Sequence, residues 1–253
     1  DFCLSRGLGD VYKRQLKDHF DPYFLGWDLD YPDVERAKRF IEEFERFVQN
    51  GTLPRFIIMR LPNDHTAGTR EGAWTPRAMV ADNDLALGMV VEAISKSRVW
   101  KETALFVVED DAQNGPDHVD AHRTVALVIS PYTRGRGRDS TFYSTASMLR
   151  TMELILGLEP MSQYDAAARP MYNAFRSKAN ARPYTCRPVP EEMRSQRNRP
   201  EAWGADLSAT LYLDKEDACD DILFNEIIWR SIKGPDSPMP PPVRAAFILP
   251  PHS

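Results

Sequence analysis

Two apolar runs that end abruptly in carboxylates and histidine constrain the fold of this chain most. The first is Phe56–Leu61, followed by Pro62-Asn-Asp-His65, and the second is Ala104–Val108, followed by Glu109-Asp-Asp111. Runs of this composition and length are typical of strands that are covered on both faces. In open α/β sheets, ligands bind beyond the carboxyl ends of the strands. The sequence therefore predicts a ligand site among the polar residues that follow the two runs.

Helical periodicity alternates with these strands. Apolar residues at three- and four-residue spacing predict helices over 33–50, 76–96 and 144–156, and a further strand is predicted over 124–130. Asp33 is the predicted cap of the first helix. Strands and helices that alternate through short turns predict an α/β fold with a mostly parallel sheet. Residues 18–32 show no period and are interpreted as an extended surface segment.

The chain divides into four segments by composition. Residues 10–15 read Asp-Val-Tyr-Lys-Arg-Gln, the translation of a transposon-based sequencing adapter, so residues 1–15 are interpreted as an adapter scar. The alternative is a genuine N-terminus. Residues 16–175 carry the strand and helix pattern. Residues 176–233 are a loop-rich extension with one helix, capped in this interpretation by Asp214, and residues 234–253 are a proline-rich tail.

Composition excludes several classes of protein. The formal net charge of −5 disfavours a dedicated nucleic-acid binder. No apolar run approaches the roughly 18–20 residues of a transmembrane helix. Cys3, Cys186 and Cys219 are widely spaced and form neither a metal motif nor a disulfide framework. The apolar fraction of 42% and the charged fraction of 27% are typical of a soluble globular protein.

Asp110 and Asp111 directly follow the second predicted strand. Adjacent strand residues face opposite ways, so the two carboxylates can address one ion only if the backbone turns there. Gly115 and Pro116 in the next loop favour such a turn. Two like charges this close are stabilised by a cation or by a network of hydrogen bonds. The alternative is a solvated surface loop, because carboxylate runs are common on protein surfaces.

Asp64 and three histidines complete the candidate set. His65 adjoins Asp64 after the first strand, and His118 and His122 follow the acidic loop. Each alone is compatible with a turn or a surface histidine. Together, a mixed Asp/His set suits zinc, manganese or iron, whereas a mostly carboxylate set also admits calcium or magnesium. Such an ion polarises an ester oxygen or lowers the pKa of a nucleophile.

Taken in order, these motifs resemble the bacterial phosphoesterase family of the alkaline-phosphatase superfamily, which holds acid phosphatases and non-specific phospholipases C. The resembling segments are Leu61–Thr66, Ala81–Gly88, Val90–Ile94, Trp100–Asp111, Asp117–Val119, Val128–Pro131 and Tyr143–Arg150. They cover roughly residues 20–175. The resemblance implies a three-layer α/β/α sandwich with a mostly parallel sheet. It also implies metal-assisted hydrolysis of small-molecule or lipid phosphoesters.

The resemblance also implies roles for single residues. Asp110, Asp111 and Asp64 correspond to ligands of a divalent metal ion, whether zinc, manganese, iron or calcium. His65, His118 and His122 correspond to residues that orient phosphate or move a proton.

The family's Ser or Thr nucleophile lies near the N-terminus of the catalytic domain, and no segment of this sequence matches it. The resemblance therefore implies a C-terminal part of the domain that is inactive alone. It also favours a periplasmic or extracellular location, although the sequence itself gives no compartment.

Two other functions remain open at this point. One is a non-catalytic cell-surface or binding module that keeps the fold and has lost the chemistry. The other is a different ester specificity in the same superfamily, that of a sulfatase or a phosphomutase. One fold hosts many chemistries, so fold resemblance does not separate these possibilities.

Overall fold

The computed structural model describes residues 2–5 (backbone only), 16, 19–110, 112, 115–117, 119–135, 137–215 and 218–244. The chain divides into two compact units. The first unit comprises the described residues within 1–93, 110–124 and 185–253. The second comprises those within 94–109 and 125–184.

The first unit combines a small parallel sheet with helices. Its strands are β1 (Phe2–Ser5), β2 (Phe20–Asp21) and β3 (Phe56–Ile58), and its helices are α1 (Asp33–Asn50), most of α2 (Pro76–Lys96), α5 (Glu191–Arg194), α6 (Ala205–Thr210) and α7 (Asp221–Lys233). The α-carbons of Leu4 and Phe20 are paired across β1 and β2, and those of Cys3 and Ile57 across β1 and β3. A 3₁₀ turn, Pro62–His65, follows β3.

The second unit contains an antiparallel pair of strands. These are β4 (Leu105–Val108) and β5 (Ala126–Ile129), and the helices of this unit are α3 (Thr145–Leu156) and α4 (Gln163–Ala167). Leu105 lies opposite Ile129 in the pair. The mixture of helix and strand confirms the predicted α/β character in part. A mostly parallel sheet in the domain stays a prediction.

The helix bounds follow the periodicity of the sequence closely. α1 and α2 have the predicted bounds, and α3 begins after Ser144, whose hydroxyl accepts a hydrogen bond from the backbone N–H of Ser147. The cap predicted for the C-terminal helix is wrong. α7 is capped by Asp220, which accepts from Leu223 N at 3.0 Å, because the helix begins later than the apolar stripe suggested.

The cap predicted for α1 is also wrong. Pro32 holds the cap position, and the carboxylate of Asp33 instead accepts from the backbone N–H of Asn63 at 2.9 Å. Arg36 Nη1 lies 3.1 Å from the other carboxylate oxygen, and both side chains are fully buried. An acidic residue that sequence assigns to a local cap is thus bound to the turn that carries the candidate site.

The surface position predicted for residues 18–32 is wrong for part of the described stretch 19–32, because Arg36 binds that part into the core. Arg36 donates to four of its carbonyl oxygens, those of Leu25, Gly26, Asp28 and Tyr31. Phe24 is 3% exposed and Leu29 is 7% exposed. Leu29 belongs to a hydrophobic cluster with Ala67, Ala73, Met79 and Leu213, against which Trp27 and Trp74 pack. None of the helices in the described part combines the length and apolar character that crossing a membrane requires.

Candidate functional site

Helices α1 and α2 hold the turn that carries Asp64 and His65. The Asn83 side chain, on α2, donates from Nδ2 to Leu61 O at 2.9 Å and to Asp33 Oδ2 at 3.0 Å. The same nitrogen lies 3.4 Å from Asp64 Oδ1. Asp33, on α1, binds the turn through the N–H of Asn63. The turn is therefore held from two helices before any ligand is present.

His65 lies between two aromatic rings. The Trp27 ring meets it edge-on with centroids 4.9 Å apart, and the Phe224 ring stacks on it at 5.1 Å with an interplanar angle of 29°. Its Nδ1 lies 3.0 Å from Thr66 O. A carbonyl oxygen only accepts hydrogen bonds, so this contact assigns the proton to Nδ1. In the neutral imidazole, Nε2 then carries the free lone pair, which suits a base or a metal ligand.

Thr66, which supplies that carbonyl, has a strained backbone. Its φ of 66° and ψ of 170° fall in a region that almost only glycine adopts. A residue held there costs on the order of 1–3 kcal/mol and persists only where its surroundings determine it strongly. Thr66 is 2% exposed, and its N–H donates to Asn63 O at 3.0 Å. The strained residue aims its carbonyl at His65, which ties the strain to the candidate site.

Asp64 and Asp110 form an acidic pair in the first unit. Burial raises the pKa of the Asp64 carboxyl, and the negative charge of Asp110 raises it further. The backbone N–H groups of Asp64 and His65 act in the opposite direction. The Asp110 side chain is 78% exposed at the start of the loop that follows β4. A cation at this pair would relieve the repulsion. Asp111, the third predicted ligand, lies outside the described residues.

Arg60 supplies a positive charge beside the acidic pair. Its Nη2 lies 3.4 Å from Asp110 Oδ2, and its guanidinium lies 5.2 Å from the centroid of the Trp27 ring. Arginine binds phosphate through paired N–H groups, which makes Arg60 a candidate phosphate ligand. The sequence interpretation missed Arg60, although its position inside the first polar-ended run was a usable signal. It also missed Trp27 and Phe224, for which no local pattern exists.

The contacts of His122 are separate from those of Asp64, His65 and Asp110. Its Nδ1 is 2.7 Å from Asp120 Oδ1, and its side chain is 65% exposed. Within the described residues, no hydrogen bond or ion pair joins His122 to Asp64, His65 or Asp110. Nearby, a hydrogen bond from Arg123 holds the pKa of Asp117 well below its usual range. His118 lies outside the described residues, so its predicted role stays a prediction.

The donor atoms of the site fit a divalent cation only in part. Asp64 and Asp110 offer carboxylate oxygens, which are suitable ligands for hard cations. Among the residues that the structure describes, no group of three His, Cys, Asp or Glu side chains is placed to hold a metal ion. The described pair alone would supply only part of a coordination shell.

Comparison with known protein families gives a match over a large part of the chain. Residues 24–159, more than half of the chain, match the Phosphoesterase family. No match was found among curated proteins. The matched region contains Trp27, Arg60, Asp64, His65 and Asp110, whereas Phe224 lies beyond it.

Proposed function

The chain belongs to the Phosphoesterase family, and we propose that it hydrolyses phosphate esters at the site formed by Arg60, Asp64, His65 and Asp110. The observation that carries the proposal is the convergence of different groups in one unit. A guanidinium lies beside a carboxylate pair, and an imidazole has its Nδ1 proton fixed by a carbonyl. Phosphoryl transfer requires positioning and charge stabilisation from groups of these kinds.

Metal dependence is part of this proposal. Asp64 and Asp110, together with Asp111, would hold a divalent ion, whether zinc, manganese, iron or calcium. Such an ion, when bound, supplies charge stabilisation at the phosphoryl oxygens and lowers the pKa of the attacking hydroxyl or water. The raised pKa of Asp64 supports this role, because a carboxylate that is costly to ionise gains most from a nearby cation.

The protein's own residues have distinct roles in the proposed reaction. Arg60 binds phosphoryl oxygens, exchanging its long contact with Asp110 for a bidentate one with the substrate. His65 Nε2 takes or returns the proton of the attacking or leaving oxygen, while Thr66 O holds the Nδ1 proton. Trp27 and Phe224 fix the ring plane, so that the lone pair keeps one direction.

We propose a Ser or Thr hydroxyl as the nucleophile, in a family segment that no part of this sequence matches. Its oxygen attacks phosphorus in line, the ester oxygen leaves, and the proton passes to a base. Water then cleaves the phospho-enzyme bond and releases inorganic phosphate. We propose small-molecule or lipid phosphoesters as substrates, a three-layer sandwich for the complete domain, and a periplasmic or extracellular location. The family match supports the phosphoester class, and the finer points rest on the resemblance alone.

Turnover of three ester classes tests the proposed function. The longest clone obtainable from the source gene is assayed with p-nitrophenyl phosphate, bis(p-nitrophenyl) phosphate and p-nitrophenyl sulfate. We expect hydrolysis of at least one phosphate ester and little of the sulfate. Preferred hydrolysis of the sulfate would indicate a sulfatase instead. A folded protein that turns over none of the three would favour the non-catalytic binding module.

A further inference from the structure

Residues 196–227, which lie beyond the family match, contact the loop that follows His65 at several separate points. This loop, residues 66–74, contains the strained Thr66. A strained backbone needs surroundings that determine it, and those surroundings are found here in a part of the chain that the family region does not include.

Asn198 is the first of these contacts. Its side-chain Nδ2 lies within hydrogen-bonding distance of three carbonyl oxygens, those of Gly68, Arg70 and Trp74, at 3.1, 3.1 and 3.2 Å. The side chain is buried, with 8% of the residue exposed. Its backbone N–H also donates to Ala73 O at 2.9 Å. One residue of the extension therefore fixes both halves of the loop.

Ser208, on α6, is the second contact. Its hydroxyl accepts from the backbone N–H of Thr69 at 2.9 Å and lies 3.1 Å from Thr69 Oγ1. A Cβ added at Gly68 would lie 2.7 Å from this hydroxyl, so the loop and α6 meet without spare room. Ser208 is 1% exposed. The contact is close enough to determine where the loop backbone lies.

Helix α7 provides the third contact, and it lies against both His65 and the loop that contains Gly115. Phe224 stacks on the imidazole of His65. A Cβ added at Gly115, in the acidic loop, would lie 3.0 Å from Oδ1 of the neighbouring Asn225. In addition, Leu213 O accepts from Trp27 Nε1 at 2.9 Å, which fixes the second ring beside His65.

We propose that residues 196–227 position His65, with Asn198 and Ser208 as positioning residues; the catalytic part of this proposal rests on the proposed function. By holding Gly68 and Thr69, they keep Thr66 in its strained conformation. Thr66 O then stays in place to accept the Nδ1 proton of His65, and Nε2 keeps its lone pair. Release of the loop would let the Thr66 backbone relax and move its carbonyl oxygen. The two neutral tautomers of His65 would then become closer in energy.

Histidine ¹⁵N NMR tests the proposal without requiring activity. The full chain is labelled at histidine, His65 is assigned with a His65→Gln variant, and spectra are taken where the imidazole is neutral. We expect wild-type His65 to be mainly the Nδ1-protonated tautomer. In Ser208→Ala and Asn198→Ala, we expect it to become a mixture. The matched control is Thr210→Ala. Among the described residues Thr210 Oγ1 donates within α6, to Leu207 O, so its loss should leave the spectrum of His65 unchanged.

The outcomes separate this proposal from the proposed function. The positioning proposal would be overturned if His65 kept its wild-type tautomer in folded Ser208→Ala. It would also be overturned if wild-type His65 were protonated mainly on Nε2. If Asn198→Ala does not fold, Ser208→Ala alone decides. In an active clone, Ser208→Ala should also lower kcat about tenfold with KM unchanged, since small misplacements of reacting groups are costly. A clone that is inactive on all esters refutes the proposed function, whereas the tautomer of His65 still tests the positioning.

Discussion

The imidazole of His65 stacks on the ring of Phe224, with centroids 5.1 Å apart. His65 lies inside the family match, whereas Phe224 lies far beyond its end. The candidate site is thus completed by a helix that the family region does not contain. This relationship leads directly to the first prediction.

Phe224→Leu should affect catalysis more than its effect on stability explains. Phe224 is 2% exposed, and a change of ring to branched chain should lower the free energy of unfolding by about 1–2 kcal/mol. Loss of the stacked ring should also lower kcat about tenfold, because the His65 ring gains freedom. The matched control is Phe44→Leu. Phe44 is 4% exposed, and its ring stacks on Phe40 in α1. Equal loss of stability with equal loss of kcat in both variants would show that Phe224 has only a packing role.

Two glycines of the same loop should respond differently to alanine. Gly68 and Gly72 both have positive φ, 60° and 75°, so each alanine costs about 1–2 kcal/mol from the backbone alone. A Cβ at Gly72 meets no atom within 4 Å, whereas one at Gly68 would lie 2.7 Å from Ser208 Oγ. Gly68→Ala should therefore cost a further 1–3 kcal/mol, roughly, for overpacking. Chemical denaturation measures both values, and equal losses would contradict the close contact with α6.

Asp33 should make stability depend on pH in an unusual direction. Burial raises the pKa of its carboxyl from 3.8 to about 6, although Asn63 N–H and Arg36 act to lower it. A raised carboxyl pKa means that the folded state binds the proton more tightly than the unfolded state. The contribution of Asp33 to stability is then fully present below about pH 4, falls as the pH rises to about 6, and is constant above. The total change is on the order of 3 kcal/mol.

Urea denaturation between pH 4 and 7 measures this dependence. Asp33→Asn does not titrate, so its free energy of unfolding should lack the fall that the wild-type protein shows between pH 4 and 6. The difference between the two curves is the informative quantity, because all other carboxyl groups are shared. Parallel curves over this range would show that Asp33 does not titrate there.

Divalent-ion binding should depend on the acidic pair. Asp64→Asn and Asp110→Asn each remove one charged ligand, and we expect each to weaken Mn²⁺ or Zn²⁺ binding at least tenfold in calorimetric titration. Asp236→Asn is the control, since Asp236 is exposed in the segment after α7. If all three variants bind the ion like the wild-type chain, the acidic pair is not the metal site.

The sequence predicted those parts of the molecule that depend on local periodicity. The bounds of α1 and α2 follow from residue spacing, and Asp64 and His65 follow a strand as the pattern required. Predictions that considered only a residue's neighbours in the chain were wrong where a distant partner binds its side chain. Asp33 fits a cap by its type and position, yet Asn63 and Arg36 bind it instead.

The remaining site residues were not predictable from spacing. Trp27 lies in a segment without periodicity, and its place beside His65 depends on the carbonyl of Leu213. Asn198 comes from a basic, proline-bearing stretch, and its side chain donates irregular hydrogen bonds to backbone carbonyls of the loop. Such contacts join segments far apart in the chain and leave no repeating pattern in either of them. They become visible only when the chain is folded.

The most direct test of the central claim is the rate of p-nitrophenyl phosphate hydrolysis before and after removal of divalent ions. The longest clone is measured as wild type and as Asp110→Asn, with Asp236→Asn as the control. The account predicts a wild-type rate that a chelator abolishes and a divalent ion restores, with a loss of at least about 100-fold in Asp110→Asn. Phosphate ester hydrolysis that survives both chelation and Asp110→Asn would contradict a metal-assisted site at Asp64 and Asp110.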